Sequence, residues 1–432
     1  MIMGQGCLEG DCVAESHCGT LVFVDVPPHS AIGVDQYVYT VGESFKGIKH
    51  VPCGTHVVSY AAYGAAQNQY GPVTAMFVTV PKVVRRDDDQ CAGMEHDAAW
   101  MMDSAFHGPV IGWRWDKEEE ILVGMNEEEH SRAEGMVRSL AWDRELGSYM
   151  ALGSKIRSHP QVDSISWNSY REWVGLSEYL DDNVLKRLVP KEGNICVIAE
   201  GDPSSMLGKQ MEKTDAEIAL DEQLKHSTNE GPMPQATHAG RCRFTSLPDV
   251  LIKDKNLSPS DLTMWNMDKS KVLESLLHEK YANDENLFLG ELQFSFLAFL
   301  LGHSLEAFMQ WKHLLGLLFG CDDAVTTGRI ELFVKSLEVI LHQFTFIFGR
   351  SSGGEEFSQV SRDTISEQFL EDSFLKTVCI SFIQSILYES ECTVDRRIER
   401  VVLELEKLLS SALSWDCGPV VDLEDGPVVV EM

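Results

Sequence analysis

The chain has 432 residues and a formal net charge of −31, and 44% of its residues are hydrophobic. This length is enough for two or three domains, and the hydrophobic content argues against a wholly disordered chain. The excess of acidic residues argues against unaided binding to nucleic-acid phosphates, which requires clustered Lys and Arg. An acidic surface suits a basic protein partner, although solubility alone also accounts for it.

The 11 cysteines are scattered and odd in number. This pattern is typical of reduced thiols in a cytosolic or nuclear protein rather than of a disulfide scaffold. Cys7, Cys12, His17 and Cys18 have the residue types of a metal site, but no second CxxC or HxxxH group follows to complete it. We therefore expect no metal and a frayed N-terminus. Residues 1–16 have no apolar run, so we expect no secretory signal or transit peptide.

The chain from Thr20 to about Val123 is predicted to form strands. Its β-branched and aromatic runs are TLVFVDV, VDQYVYTV, THVVSYAA, TAMFVTV and VIGWRWD. We interpret VDQYVYTV as one alternating strand that ends at Gly42, and GESFKG at 42–47 as a hairpin turn. Asp87–Gly108 has neither the strand nor the helix period and is interpreted as an exposed insertion.

Residues 117–150 and 166–190 have helical patterns, and the second region closes at Pro190. In the first region Met136, Leu140 and Leu146 are predicted to mark one face.

A linker is predicted after these helices, because from about Gly201 to Thr245 the composition shifts to Gly, Pro, Ser and charged residues. The predicted organisation is a β-rich N-terminal domain with closing helices at 18–199, a flexible acidic linker at 200–246, an α-helical domain at 247–415, and an acidic tail with a terminal strand at 416–432.

The most apolar stretch is ELQFSFLAFLLGHSLEAFMQWKHLLGLLFG, at 291–320. Its uncharged run of about 14 residues is shorter than the roughly 20 that cross a bilayer. Gly302-His303-Ser304 offers a break, after which Ser304 is placed to cap a second helix that carries Glu306 in its first turn. We therefore predict two buried core helices. Amphipathic helices follow in RIELFVKSLEVILHQFTFIF, in Ser373–Tyr388 and in RIERVVLELEKLLSSAL.

Motifs of catalysis are absent from the sequence. It contains no GxxxxGKS/T, no GxGxxG after a strand, no GxSxG and no HExxH. His56 and Tyr60 lie four residues apart on one face of a predicted strand, and they suit either a proton-transfer pair or a core-lining pair. Because a catalytic base also needs a substrate cleft, we favour the core interpretation. We predict no enzyme activity and no cofactor, and keep a hydrolase that uses His56 as an alternative.

Two longer stretches carry ordered motifs. LVFVDVPPHSAIGVDQYVYTVGESFKGIKHVPCGTHVVSYAA contains Gly33-Val34-Asp35, Val41–Lys49 and the turn Pro52–His56, and GELQFSFLAFLLGHSLEAFMQWKHLLGLL begins at Gly290. Both resemble the signatures of the AAR-type (AAR-two) splicing factors, the assembly chaperones of the U5 snRNP. With a weaker likeness between Trp113 and Pro190, the resemblance covers about half of the chain. Two features depart from the family pattern. Cys53 stands where the family has a second proline, and the Asp87–Gly108 stretch has no counterpart.

The resemblance implies an α+β protein in which a β-rich N-terminal domain precedes an α-helical, VHS-like C-terminal domain. It also implies a non-catalytic role in the cytoplasm and nucleus. The family binds the RNase-H-like and Jab1/MPN domains of the large U5 core protein and excludes the helicase until nuclear exchange, with no direct nucleic-acid or membrane contact. An alternative is a VHS-like adaptor in membrane traffic, which requires a basic membrane-facing patch that the sequence does not show convincingly.

The last segment, DGPVVVEM, is the predicted partner-binding site. Its consecutive valines favour an extended backbone. The resemblance implies that such tails bridge the two partner domains by strand pairing, so the residues expected to bind are Pro427, Val428, Val429, Val430 and Glu431. A frayed terminus is the alternative.

Overall fold

The computed structural model describes residues 18–64, 68–82, 108–149, 162–196, 240–247, 267–348, 373–389 and 394–419. These residues form two compact units. The first runs to Arg243 and also takes in Leu297–Glu306, and the second takes the remaining described residues from Phe244 onward. The first is rich in strands and the second is helical, which confirms the predicted α+β class. The predicted domain and linker boundaries stay predictions.

The described strands of the first unit are β1 Cys18–Val24, β2 Ala31–Val34, β3 Tyr37–Thr40, β4 Gly47–Pro52, β5 Gly54–Ala61, β6 Tyr63–Gly64, β7 Gln69–Tyr70, β8 Thr74–Val80, β9 Val110–Asp116, β10 Ile121–Gly124, β11 Leu146–Ser148 and β12 Asn194–Cys196. They form two five-stranded sheets, ordered β10-β9-β1-β4-β11 and β12-β8-β5-β2-β3, and a two-stranded β6-β7 ribbon. The helices of this unit are α1 Glu127–Arg138, α2 Val162–Ser177 and α3 Asp182–Leu188.

Strand β1 shows how the two sheets are buried. Leu21, Val22 and Phe23 are all fully buried, because β1 lies between β4 and β9 and both of its faces are covered. Since successive side chains of a strand point to opposite faces, Leu21 and Phe23 enter the large apolar core that residues of both sheets share. Val22 enters a second core with Ala133 and Val137 of α1.

Two predictions in this region, one of a strand and one of a turn, are wrong. VDQYVYTV is not one strand, because Asp35 and Gln36 form a tight turn between β2 and β3, and Asp35 has a left-handed φ of 56°. Residues 42–47 are not a hairpin turn, because β3 pairs with β2 in one sheet while β4 pairs with β1 in the other. The segment passes from one sheet to the other. The strands predicted for TLVFVDV, THVVSYAA, TAMFVTV and VIGWRWD are confirmed as β1, β5, β8 and β9.

The predicted helix over 117–150 is confirmed only for α1. Before it, Asp116 Oδ1 accepts hydrogen bonds from the backbone N–H groups of Glu118 and Glu119, and this turn leads into β10 instead of a helix. Asn126 then starts α1 through a capping box with Glu129. Met136, Leu140 and Leu146 do not share a face. Helix α1 ends at Arg138, and its buried residues are Ala133 and Val137.

The second predicted helical region, 166–190, is two helices. Helix α2 ends at Ser177, and α3 begins after Asp181, whose side chain accepts hydrogen bonds from the N–H groups of Asn183 and Val184. This N-cap is a local signal that separates the two elements.

The described helices that lie wholly or mainly in the second unit are α4 Ser270–Tyr281, α5 Glu285–Gly302, α6 Leu305–Leu318, α7 Ile330–Phe348, α8 Ser373–Gln384 and α9 Arg396–Leu413. The predicted break in the most apolar stretch is confirmed, because α5 ends at Gly302 and α6 begins at Leu305. Phe288, Leu292 and Phe294 of α5 are fully buried, so this stretch is core as predicted. Among the helices of the described ranges, none combines the length and apolar character needed to cross a bilayer.

The amphipathic stripes predicted for α7 and α9 are confirmed. In α7 the buried residues include Phe333, Leu337 and Phe344, while Glu331 and Glu338 face solvent. Helix α9 buries Ile398, Val401, Val402, Leu405 and Leu409 on one side, with Leu408 half-buried. The two helices pack together, and short π-helical turns at Ala324–Gly328 and Ser385–Glu389 complete this part of the unit.

Candidate functional site

The polar residues of the first signature meet inside the first unit. The Asp35 turn and the turn before β5 bring His56 Nδ1 to 2.8 Å from Asp35 Oδ2, and the side chains of both residues are at most 1% exposed. Gly33 precedes this turn on β2, where a Cβ would collide with Ser59 Oγ of the neighbouring strand. The motif glycine, aspartate and histidine therefore belong to one buried arrangement.

Both ring nitrogens of His56 are occupied. Nε2 lies 2.8 Å from the Pro52 carbonyl oxygen, and Nδ1 faces Asp35. Burial lowers the pKa of His56, but the charge of Asp35 and the hydrogen bonds to Asp35 and Pro52 together outweigh it, so the pKa is raised above its ordinary value. Since both nitrogens point at oxygen acceptors, His56 holds its proton and its positive charge, paired with Asp35.

Further donors complete the shell around Asp35. The Tyr149 hydroxyl donates to Asp35 Oδ2 at 2.6 Å, and the Val57 N–H donates to Oδ1 at 3.0 Å. Burial, then the adjacent Asp35, raise the pKa of Tyr149 well above its ordinary value, so this hydroxyl remains a donor. The indole of Trp173 from α2 stacks on His56 with ring centroids 6.3 Å apart.

Helix α2 also holds the turn that carries Cys53. The Tyr170 hydroxyl donates to the Cys53 carbonyl at 3.3 Å, and the Trp173 Nε1–H donates to the Thr55 carbonyl at 2.9 Å. The Thr55 hydroxyl in turn donates to the Leu180 carbonyl at 2.6 Å. The turn therefore forms with cysteine in the place of the second proline.

This arrangement has the residue types of a catalytic dyad but not the chemistry of one. A general base needs a nitrogen that faces a substrate, and the two nitrogens of His56 are already bonded inside a closed core. Tyr60 is also buried, at 3% exposure, which confirms that His56 and Tyr60 line the core. The pair stabilises the turns between the strands.

The second signature places a carboxylate inside the helical unit. Glu291 of α5 is fully buried. Its Oε1 accepts from the Thr245 N–H at 2.7 Å and from Gln310 Nε2 at 2.9 Å, and its Oε2 accepts from the Thr245 hydroxyl at 2.6 Å and the Tyr281 hydroxyl at 2.9 Å. Four neutral donors thus surround one carboxylate, which is the usual way to bury an acid without a cation beside it.

Trp311 and Lys312 of this signature also make contacts within the helical unit, whereas His303 and His313 are exposed. Trp311 is fully buried, and its Nε1–H donates to Gln343 Oε1 at 2.9 Å. The Lys312 ammonium lies 5.4 Å from the ring centres of both Phe308 and Phe374. Such cation–π contacts hold the long side chain of lysine against the helical surface. The signature therefore describes packing rather than an open site.

The predicted partner-binding residues Pro427, Val428, Val429, Val430 and Glu431 lie outside the described residues. So do Cys7, Cys12 and His17, whereas Cys18 is buried in β1. Across the ranges that the structure describes, His, Cys, Asp and Glu form no group that suits a metal ion. The 87–107 part of the predicted insertion and most of the predicted linker also fall outside.

Sequence reasoning missed the roles of Asp35 and Glu291. Each is a single acidic residue next to an apolar run. An acidic residue in such a place is rarely buried unless several hydrogen-bond donors surround its carboxylate, and this was the signal in the sequence.

Comparison with known proteins gives matches over both units. A family model described as the AAR2 N-terminal domain matches residues 17–190, and one described as the AAR2 C-terminal repeat region matches residues 244–418. The chain is 24% identical to a Homo sapiens protein named Protein AAR2 homolog, over 96% of this chain and 93% of that protein. The Mus musculus protein of that name is 24% identical, over 94% of each chain. The Caenorhabditis elegans protein is 21% identical, over 92% of this chain and 94% of its own.

Proposed function

The chain belongs to the AAR2 family, and from that membership we propose that it is a non-catalytic assembly chaperone of the U5 snRNP in pre-mRNA splicing. In this proposal it binds the RNase-H-like and Jab1/MPN domains of the large U5 core protein in the cytoplasm. It blocks premature binding of the helicase and is exchanged in the nucleus. No nucleic acid, membrane or cofactor takes part directly.

The main structural support is that the buried acidic residues and the buried histidine of the two signatures bond inside the fold. His56 and Asp35 satisfy each other with Pro52, Val57 and Tyr149. Glu291 is saturated by its four donors. A fold whose signature side chains serve its own core exerts its function through its surface, as a binding protein does.

The charge of the chain supports a protein partner with basic surfaces. At −31, the chain repels nucleic-acid phosphates and anionic lipid, and it attracts positively charged protein surfaces. Such steering raises the association rate and weakens with salt, so the association rate with the core protein should fall as ionic strength rises.

The tail contributes to binding only beside docked domains. A backbone hydrogen bond nets about 0.5–1.5 kcal/mol, while ordering one residue costs about 1–2 kcal/mol. The net free energy of strand addition by Val428, Val429 and Val430 is therefore near zero when the tail binds alone. When the rest of the chain is docked, the effective concentration of the tail at its site is high and strand addition becomes favourable.

The test uses the full-length chain and the full-length large U5 core protein in a direct binding assay, followed by competition with the helicase. The full-length chain should bind the core protein and lower helicase binding. Absence of binding, or helicase binding that the chain leaves unchanged, overturns the proposal.

The contribution of the tail is tested in the same assay by deleting 426–432 and by replacing the three valines with glycine. Both changes should weaken the complex several-fold or more, because glycine lowers strand propensity and removes the apolar side chains. A triple isoleucine variant is the matched control and should bind like the wild-type chain. The isolated tail peptide should bind weakly. Equal dissociation constants for the deleted and intact chains would show that the tail is not a contact.

A further inference from the structure

Helix α9 carries a row of basic residues on the face opposite its core. The members of the row are spaced at steps of four, three and four residues, which places them on one side of the helix. They are Arg396, Arg400, Leu403 and Lys407, and we call them the α9 stripe. All four side chains are exposed, and Leu403, at 37% exposure, places an apolar surface among the cations. The stripe concentrates positive charge on a chain whose net charge is −31.

Folding does not explain these cations. The neighbouring Arg397 forms ion pairs with Asp395 and Glu331, at 3.2 Å and 2.8 Å. The three cations of the stripe, by contrast, form no ion pair within the part of the chain that the structure describes. Arg396 also lies in the first turn of α9, where the helix dipole disfavours a positive charge. The stripe is therefore available to an acidic segment.

The chain that follows α9 turns back along this helix. Ser414 has a left-handed φ of 55°, and Cys417 is buried three residues later. The Cys417 thiol lies beside the Ser410 side chain of α9, and the Gly418 carbonyl accepts a hydrogen bond from Gln384 Nε2 at 2.8 Å. This short segment is thus fixed against the helical unit and runs antiparallel to α9.

The residues that come next have the charge opposite to that of the stripe. Asp422, Glu424 and Asp425 are acidic, and the sequence contains no Lys or Arg after Lys407. Asp422 lies five residues beyond Cys417, a reach of at most about 17 Å for an extended chain. Along α9, Arg400 lies ten residues before Ser410, about 15 Å along the helix axis. The carboxylates can therefore reach the stripe in the direction in which the chain already runs.

We propose that the acidic segment Asp422–Asp425 binds the α9 stripe of its own chain, with its carboxylates paired to the cations of the stripe. Leu423 gives the segment an apolar counterpart to Leu403. Exposed ion pairs are individually weak, but the segment is tethered beside the stripe, and its effective concentration there is high.

Binding at 422–425 leaves residues 427–431 free. It holds the terminal strand beside the helical unit, which shortens the tether on which that strand meets a docked partner. This consequence, unlike the binding itself, rests on the proposed function.

The binding is tested by zero-length carbodiimide cross-linking of the full-length chain, followed by mass spectrometry of its peptides. The reagent joins the Lys407 amine to a carboxylate only when the two groups are in contact. A cross-link between Lys407 and segment 422–425 should form in the wild-type chain, with a yield that does not depend on protein concentration. Its yield should fall at least about threefold in Arg396→Ser/Arg400→Ser and in 1 M salt.

Glu399→Gln/Glu404→Gln is the matched control, because these exposed residues flank the stripe on the same helix. Its cross-link yield should be unchanged or higher, and the thermal midpoints of both double variants should match the wild-type value. Absence of the cross-link, or an unchanged yield in Arg396→Ser/Arg400→Ser, overturns the inference. A cross-link that joins differently isotope-labelled copies also overturns it, because the occupant would then be the tail of a second copy.

The consequence for partner binding is tested with the full-length core protein. Arg396→Ser/Arg400→Ser should weaken binding at least about twofold in the intact chain and should have no effect in a chain that lacks 426–432. An equal loss in both chains would show that the arginines contact the partner directly, and unchanged affinity in the intact chain would show that the tether is not needed. Either result overturns the role of the stripe in partner binding. A wild-type chain that does not bind the core protein overturns the proposed function, whereas the cross-linking result still decides whether the segment binds the stripe.

Discussion

Replacing Glu291 by alanine is the sharpest test of the idea that the helical signature describes a buried polar network. The substitution removes the acceptor for the Thr245 N–H, the Thr245 hydroxyl, the Tyr281 hydroxyl and Gln310 Nε2. Thr245, Tyr281 and Gln310 are themselves buried, so the stranded donors have no direct access to solvent.

The size of the effect follows from these four donors. A buried donor without a partner costs about 1–3 kcal/mol, and water that enters the space left by the carboxylate reduces each cost toward the lower end. Glu291→Ala should therefore destabilise the helical unit by about 4 kcal/mol. Glu291→Gln keeps the shape and one acceptor oxygen but turns an NH2 group toward two donors, so its cost should be intermediate. Removing one of those donors with Tyr281→Phe should restore part of the stability that Glu291→Gln loses.

Hydrogen exchange of the α5 amides is the suitable assay, because it reports the opening free energy of this unit even when two units unfold separately. Glu404 is exposed on α9, and Glu404→Gln is the matched control, expected to change stability by no more than about 0.5 kcal/mol. The network would be refuted if the opening free energy of Glu291→Ala lay within about 1 kcal/mol of the wild-type value. It would also be refuted if the stability changes caused by Glu291→Gln and Tyr281→Phe were strictly additive in the double variant.

Two further predictions concern the first unit. The raised pKa of His56 means that its contribution to stability is fully present below the unfolded-state pKa of about 6.5 and is lost as pH rises through the higher folded-state pKa. Thermal midpoints measured from pH 5.5 upward should thus fall more steeply for the wild-type chain than for His56→Gln, and parallel curves would contradict this. Cys53→Pro should leave the stability unchanged or raise it by up to about 1 kcal/mol, because the Cys53 carbonyl keeps its bond from Tyr170 and φ at this position is not left-handed. A loss of more than about 1 kcal/mol in a thermal or denaturant titration would show that the turn needs the cysteine.

The elements that the sequence predicted well are those with a clear period or a bounded apolar run. Helices α7 and α9 bury long stripes, α5 is buried on every side from Phe288 to Leu300, and β1, β5 and β8 are short apolar runs bounded by turn residues. In each case the local sequence pattern agrees with the burial seen in the fold, so the pattern alone was sufficient to predict the element.

The wrong predictions arose where a short turn interrupts a continuing pattern. Asp35-Gln36 lacks the Asn-Gly or Asp-Gly pair that usually marks a two-residue hairpin, and the residues on both sides continue the strand alternation. The 42–47 segment shows the opposite problem, since glycines predict a bend but do not say which strands it joins. Sequential strands usually pair, and here β3 and β4 instead belong to different sheets.

The buried carboxylates mark the limit of this kind of prediction. A lone acid within a buried apolar segment must find donors, so the presence of a network around Asp35 or Glu291 follows from the sequence and from the cost of burying a charge. The identity of the donors does not. Asp35 meets a histidine 21 residues away and a tyrosine 114 residues away, and Glu291 meets a threonine 46 residues before it. Those contacts depend on how strands cross and helices pack, and no local period encodes them.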